Sequence, residues 1–188
     1  MRTIKNKIVA LAAMIAIATS AAVAAPRATD QNGTGDQQVA SEVLHQLRKL
    51  PHTGLFDNLA YKVEGSTVTL YGQVMRSVTR NDAATVVKRI AGVERVINNI
   101  EVLPPSSFDD GIRRGIYRQL LRTASLYRYT RGTQPSLRII VRGGHVSLEG
   151  VVANKTDKQL AYLAASRVPG VFSITNNLRA ERGESGSY

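Results

Sequence analysis

The sequence predicts an α+β protein made of two tandem α-β-β-α-β units, each a small three-stranded mixed sheet carrying two helices. Three observations predict it. First, residues 65–102 and 143–180 align without a gap at a constant offset of 78. Second, the identities fall at positions with definite structural duties: Val68/Val146, Leu70/Leu148 and Val74/Val152 at strand spacing, and the glycines Gly65/Gly143, Gly72/Gly150 and Gly92/Gly170. Ala83/Ala161, Arg89/Arg167, Val93/Val171, Asn98/Asn176 and Asn99/Asn177 complete the set. Turn, core and strand positions matching together mark one folded unit made twice. Third, the apolar pattern within each copy alternates, then takes helical spacing, then returns to a strand.

Taken in order, the chain opens on the anatomy of a secretory signal over residues 1–24. Arg2, Lys5 and Lys7 form a positive start, Ile8 to Ile17 an apolar core, and Ala22, Val23 and Ala24 small residues before a cut. Pro26 disfavours cleavage after Ala25, so the Ala24–Ala25 bond is the expected site. A retained anchor is the competing reading, but the apolar core is about half the roughly 20 residues needed to span a bilayer. No cysteine is present, which excludes disulfides, thiolate metal sites and a lipidated cysteine. The expected destination is a bacterial periplasm, with a soluble mature protein.

Residues 25–36 are polar and rich in Gly, Thr and Asp and read as a disordered linker. The first unit spans 37–104. Its first helix, Gln37–Leu50, carries Val39, Val43, Leu44, Leu47 and Leu50 at helical spacing and stops at Pro51. Strand Leu59–Val63 turns at Gly65 into strand Thr67–Val74. Helix Thr79–Ile90 presents Ala83, Val86, Val87 and Ile90 inward, Gly92 caps it in the left-handed region, and strand Val93–Val102 follows. Gly72 and Gly150 lie mid-strand, where glycine weakens a sheet unless something approaches closely; the expected neighbour is the crossing helix.

Residues 105–108 form the linker, and the second unit spans 109–181 on the same plan. Its first helix, Asp109–Thr123, shows Ile112, Ile116 and Leu120 on one side; Asp109–Asp110 read as favourable charge at its start. At an offset of 73, Gln119–Leu120 falls on Gln46–Leu47. An enlarged connection, 124–136, precedes strand Leu137–Val141 and strand His145–Val152. Thr156 with Gln159 reads as a capping box before the second helix, Pro169–Gly170 end it, and a third strand spans Val171–Ala180. Gly111 and Gly115 suit close packing against the other unit. Residues 182–188 read as a disordered tail.

Without the three leader cations, 22 basic groups face 14 acidic ones, a net of +8. The imbalance is local: residues 25–104 hold nine basic and eight acidic groups, residues 105–188 thirteen and six. An exported basic unit meets phospholipid head groups, cell-wall polymers and acidic proteins rather than nucleic acid. Arg114, Arg118 and Arg122 recur at i, i+4, i+8, away from the apolar stripe. Beyond them, Tyr127, Arg128, Tyr129 and Arg131 interleave aromatics with arginines, a composition suited to a membrane interface. Each cation near an anionic bilayer contributes about 1 kcal/mol within about one Debye length. The alternative is a solvated helix face beside a basic loop with partly buried tyrosines.

These residues resemble the BON domain, named for bacterial osmotic-stress and nodulation proteins. The shared features are the element order, V-T-L-Y-G-Q-V at 68–74 echoed as V-S-L-E-G-V-V at 146–152, and A-G-V at 91–93 or P-G-V at 169–171 before a strand with paired asparagines. A leader followed by two such domains resembles the osmotically induced periplasmic members. The resemblance implies attachment to phospholipid or other envelope surfaces, a link to envelope or osmotic stress, and in some members a chaperone role with polypeptide clients. It implies neither catalysis nor a cofactor. Consistent with this, His45, His52 and His145 have no metal-ligand spacing, and no G-x-S-x-G or S-x-x-K motif occurs. Asn98 and Asn176 lie on the third-strand path and read as structural, with Gly72, Gly92, Gly150 and Gly170.

Overall fold

The computed structural model describes residues 31–132 and 134–182. The expected signal peptide and residues 183–188 of the tail lie outside the described residues. In the first unit, α1 (Gln31–Arg48) leads to β1 (Asn58–Glu64), β2 (Thr67–Val74), α2 (Ser77–Lys88) and β3 (Arg95–Val102). β1 pairs antiparallel with β2, and β2 parallel with β3, giving a mixed sheet in the order β1-β2-β3. The second unit runs α3 (Ser107–Arg122), a 3-10 turn at Tyr127–Thr130, β4 (Leu137–Arg142), β5 (His145–Asn154), α4 (Lys155–Ser166), β6 (Ser173–Asn176) and β7 (Arg179–Arg182). Both copies of the α-β-β-α-β plan are therefore present.

Each unit keeps its own core. In the first, Val43 and Leu47 of α1 and Ala83 and Val87 of α2 close over Val68, Leu70 and Val74, the inward alternation of β2. In the second, Ile112, Ile116 and Leu120 of α3 and Ala161 and Ala165 of α4 cover Leu137, Ile139, Val146 and Leu148. The shared apolar positions explain why two segments of limited identity reach one fold: the pattern fixes which faces must leave water.

Several boundaries differ from the sequence reading for definite reasons. α1 starts at Gln31, so residues 31–36, expected to be disordered, are helical. α3 starts at Ser107 rather than Asp109 because Ser106 is its N-cap; the Ser106 hydroxyl accepts from the Asp109 N–H. α4 is capped by Asn154, whose side chain accepts from the Asp157 N–H at 2.8 Å, so the capping pair is Asn154–Asp157 rather than Thr156–Gln159. The strand expected over Val171–Ala180 is two short ones; the Leu178 N–H turns to the Asn176 side-chain oxygen where pairing lapses.

The glycines divide into kinds. Gly143 and Gly144 both have positive φ, the signature of a two-residue type I′ hairpin turn. Gly92 and Gly170 do not cap the helices, which end at Lys88 and Ser166; they sit in separate turns closed by Val93 N–H to Ile90 and Val171 N–H to Val168. Gly72 and Gly150 do not make room for a helix. Both have φ above +110°, and a Cβ there would overlap the carbonyl oxygen of Asn58 or Ser136, the backbone entering the neighbouring strand. Gly115 gives close packing within its own unit, against Val168 of the second-helix turn, not against the other unit.

Asp109 does more than complement the helix dipole. It is buried, and its two carboxylate oxygens accept from the Gly143 and Gly144 N–H groups, both at 2.9 Å, clamping α3 to the β4–β5 hairpin. Asp36, 73 residues earlier, makes a looser and exposed version to Gly65 at 3.5 Å. Asp109→Asn leaves one of those N–H groups without its acceptor and is expected to destabilise by about 1–2 kcal/mol. Asp36→Ala is expected to fall within about 0.5 kcal/mol of wild type, as surface changes do. Urea denaturation of both variants checks the contrast.

The units touch. Leu55 and Phe56 of the first pack against the second core, and the Ile139 N–H donates to the Leu55 carbonyl at 2.8 Å, covering part of the free edge of β4. Arg142 and Glu101 form an ion pair across the junction at 2.6 Å. Ile140, on the face of β4 opposite the core, is buried as well, beside Leu103.

Candidate functional site

The arginine-bearing face of α3 is the strongest surface feature. Arg114, Arg118 and Arg122 are all exposed, and none forms a salt bridge among the described residues. The helix geometry decides this: two steps of four residues keep the three on one side while Ile112, Ile116 and Leu120 go to the core. Arg113, adjacent in sequence to Arg114, has the opposite fate. It is 2% exposed, donates to Asp110 at 2.6 Å and to the Val141 carbonyl, and holds α3 against the end of β4.

The loop beyond α3 does not join this face as a block. Arg128 donates to the Asp157 carboxylate at 2.7 Å and to the Tyr129 hydroxyl at 2.6 Å. Tyr129 is buried; its hydroxyl donates to Asp157 at 2.6 Å and accepts from the Ala153 N–H. Arg128 and Tyr129 are thus structural, bracing the enlarged connection against the start of α4, and are withdrawn from the expected anion-binding set. Burial pushes the Asp157 carboxyl upward, but hydrogen bonds from Tyr129 and Arg128 outweigh it and hold the group below the usual aspartate range. Tyr127 and Arg131 remain exposed, with the Arg131 guanidinium stacked over the Tyr127 ring at 4.9 Å.

Two residues the sequence reading passed over complete the face. Phe172 is 69% exposed, and Phe108, at the first turn of α3, is 48% exposed; their rings lie 5.9 Å apart, with His145 edge-on to Phe172 at 6.1 Å. Phe108, Gly111, Gly115, Arg118 and Arg122 follow one another at alternating spacings of three and four along α3, so they share a side. Between them and the Val168–Pro169 turn runs a shallow groove of about 330 Å³, floored by the two glycines and edged by Arg118 and Arg122. The arrangement is apolar rings at one end and guanidinium groups at the other, with little side-chain bulk between. The signal was in the repeat itself: the first copy has Gly35 where the second has Phe108, and Glu94 where it has Phe172.

The paired asparagines are structural. Asn98 donates to the Arg80 carbonyl of α2 and Asn176 to the Lys158 carbonyl of α4, both at 2.9 Å, while their oxygens accept from Ile100 and Leu178 N–H groups. Each ties a helix to the third strand by the same pair of bonds. Among the described residues no group of His, Asp and Glu is placed to hold a metal, and no helix is long and apolar enough to cross a membrane.

Comparison with known proteins adds the following. The BON domain profile matches twice, over residues 35–104 and 108–182. No curated protein matches the chain. Among solved structures, two of CdsD, a structural protein of the type III secretion system of Chlamydia trachomatis, are similar at 9% identity and a TM-score of 0.30. One, its C-terminal domain, covers 74% of this chain and 96% of its own; the other covers 77% and 94%. Likeness at that level carries no argument about function.

Proposed function

The chain belongs to the BON domain family, and from that premise we propose that it is a non-catalytic, exported envelope protein that attaches peripherally to anionic phospholipid through the α3 face of its second unit. A periplasmic location and a link to envelope or osmotic stress are part of the same reading. The observation that carries it is the co-location of exposed Arg114, Arg118 and Arg122 with exposed Phe108 and Phe172 on one side of one unit. Guanidinium groups supply long-range attraction to lipid phosphates, and the rings supply apolar area that enters the head-group boundary. Each arginine contributes about 1 kcal/mol near an anionic surface, and burying an exposed phenylalanine about 2 kcal/mol more. Sums of that size give reversible, salt-sensitive attachment, not permanent anchoring.

Vesicle flotation tests it. Wild-type protein is expected to float with vesicles containing anionic phospholipid at low salt, to stay behind with neutral vesicles, and to be released by high salt. Arg114→Glu/Arg118→Glu reverses two charges, a swing of about 4 kcal/mol, and is expected to lower the bound fraction at least tenfold. Phe172→Ser is expected to weaken attachment with little change in salt dependence. Equal flotation with neutral and anionic vesicles would sink the proposal. Capture of unfolded polypeptide with little salt dependence would favour a chaperone or adaptor role instead.

A further inference from the structure

A second charged feature lies far from the α3 face in kind and in construction. Where the two units meet, a cleft of about 780 Å³ opens between the α1–β1 side of the first unit and the outer face of the second sheet. Its first-unit wall offers Leu44, Leu47 and Leu59 together with Arg48; its second-unit wall offers Arg138 of β4 and Arg179 of β7. None of these three arginines forms a salt bridge among the described residues.

Arg138 is the informative one. It is half-buried, and the acceptors it has are neutral: the Gly54 carbonyl at 3.2 Å and the Gln134 amide oxygen at 3.3 Å. The cleft carboxylate whose charge acts on it, Asp57, is already engaged, with its two oxygens accepting from the Gly54 and Met75 N–H groups. Burial pushes the Arg138 guanidinium below its usual range, Asp57 draws it partly back, and the charge of Arg48 pushes it further down. Glu181 supplies the other acidic group of the cleft, exposed at its rim. A dehydrated cation beside a second cation is stabilised by an incoming anion, and a planar guanidinium receives phosphate or carboxylate by paired hydrogen bonds. The volume suits a small organic molecule, and the leucine wall suits an apolar portion.

We propose that the inter-unit cleft is a binding site for a small amphiphilic anion, its phosphate or carboxylate head held by Arg48, Arg138 and Arg179 and its apolar part laid along Leu44, Leu47 and Leu59. Such a ligand bridges both units and couples them.

Isothermal titration of the full chain with n-octyl phosphate tests this, beside inorganic phosphate as head alone and n-octyl glucoside as tail alone. Saturable one-to-one binding of octyl phosphate is expected, with each half-ligand weaker by about tenfold or more. Arg48→Gln/Arg138→Gln is expected to weaken it by about tenfold or more, the loss of charged hydrogen bonds. Because Arg138 also bonds the first unit, Arg179→Gln provides a second variant, since Arg179 makes no side-chain bond across the junction among the described residues, and it is expected to weaken binding as well. Arg114→Glu/Arg118→Glu is expected to leave it unchanged, which separates the cleft from the membrane face. Undiminished binding by the folded Arg48→Gln/Arg138→Gln and Arg179→Gln variants, no saturable binding of octyl phosphate, or equal loss in the α3 variant would overturn the proposal.

Discussion

Gly72→Ala is expected to abolish the folding transition of the first unit, and Gly150→Ala that of the second. Both glycines hold φ near +112°, where an L side chain is strained by roughly 1–2 kcal/mol. The larger effect is steric. A Cβ at Gly72 overlaps the Asn58 carbonyl oxygen and lies 2.9 Å from its carbon; at Gly150 it meets the Ser136 carbonyl in the same way, with the carbon at 3.0 Å. Those obstacles are backbone, fixed by strand pairing of Leu59 with Gly72 and Leu137 with Gly150, so no rotamer change relieves them. A total of about 4 kcal/mol or more exceeds what a domain of roughly 70 residues can spare. Gly65→Ala provides the calibration: φ is +58° there but nothing lies within 4 Å of the new methyl, so about 1 kcal/mol is expected. Calorimetry of the three variants reads the series. A Gly72→Ala transition no lower than that of Gly65→Ala would contradict the close-approach account.

Asp157→Ala is expected to destabilise the second unit by about 3 kcal/mol. The carboxylate is 3% exposed and does three things at once: it accepts from the Tyr129 hydroxyl and from Arg128, and it closes the cap with Asn154 at the start of α4. Its loss leaves a buried hydroxyl without an acceptor and frees the 3-10 turn from the sheet. The same carboxylate gives the unit a pH dependence of known sign. Its folded pKa lies below the unfolded value of about 3.9, so its stabilisation is complete above that value and lost as pH falls through the folded one. Melting temperature measured from pH 6 down to pH 2 is expected to fall less steeply below pH 4 in Asp157→Asn than in wild type. Parallel slopes in the two proteins would show that other carboxylates govern the acid transition.

The α3 face proposed to meet the membrane divides into a part legible in sequence and a part that was not. Arg114, Arg118 and Arg122 follow from helical period alone, since a spacing of four on a helix with a fixed apolar side leaves one direction open. Arg128 and Tyr129 could not be placed that way. They sit in a connection with no period, and their partner Asp157 is 28 or 29 positions further along, brought close by the strand pairing in between. Phe108 and Phe172 are separated more widely still, and meet because the start of α3 and the turn after α4 are brought together.

From the chain alone came two copies of an α-β-β-α-β unit, the glycine positions that recur in both, and the concentration of positive charge in the second. Those are properties of order and spacing, which local propensity and the burial of alternating or helical apolar faces translate directly into elements. Only the tertiary structure decided which arginines are free and which are held, that Gly72 and Gly150 answer to a neighbouring strand's carbonyl rather than to a helix, and that the units enclose a cationic cleft. The physical reason is common to all three: each depends on which distant group arrives within about 3 Å, and hydrogen bonds and contacts of that range are set by packing in space, not by separation along the chain.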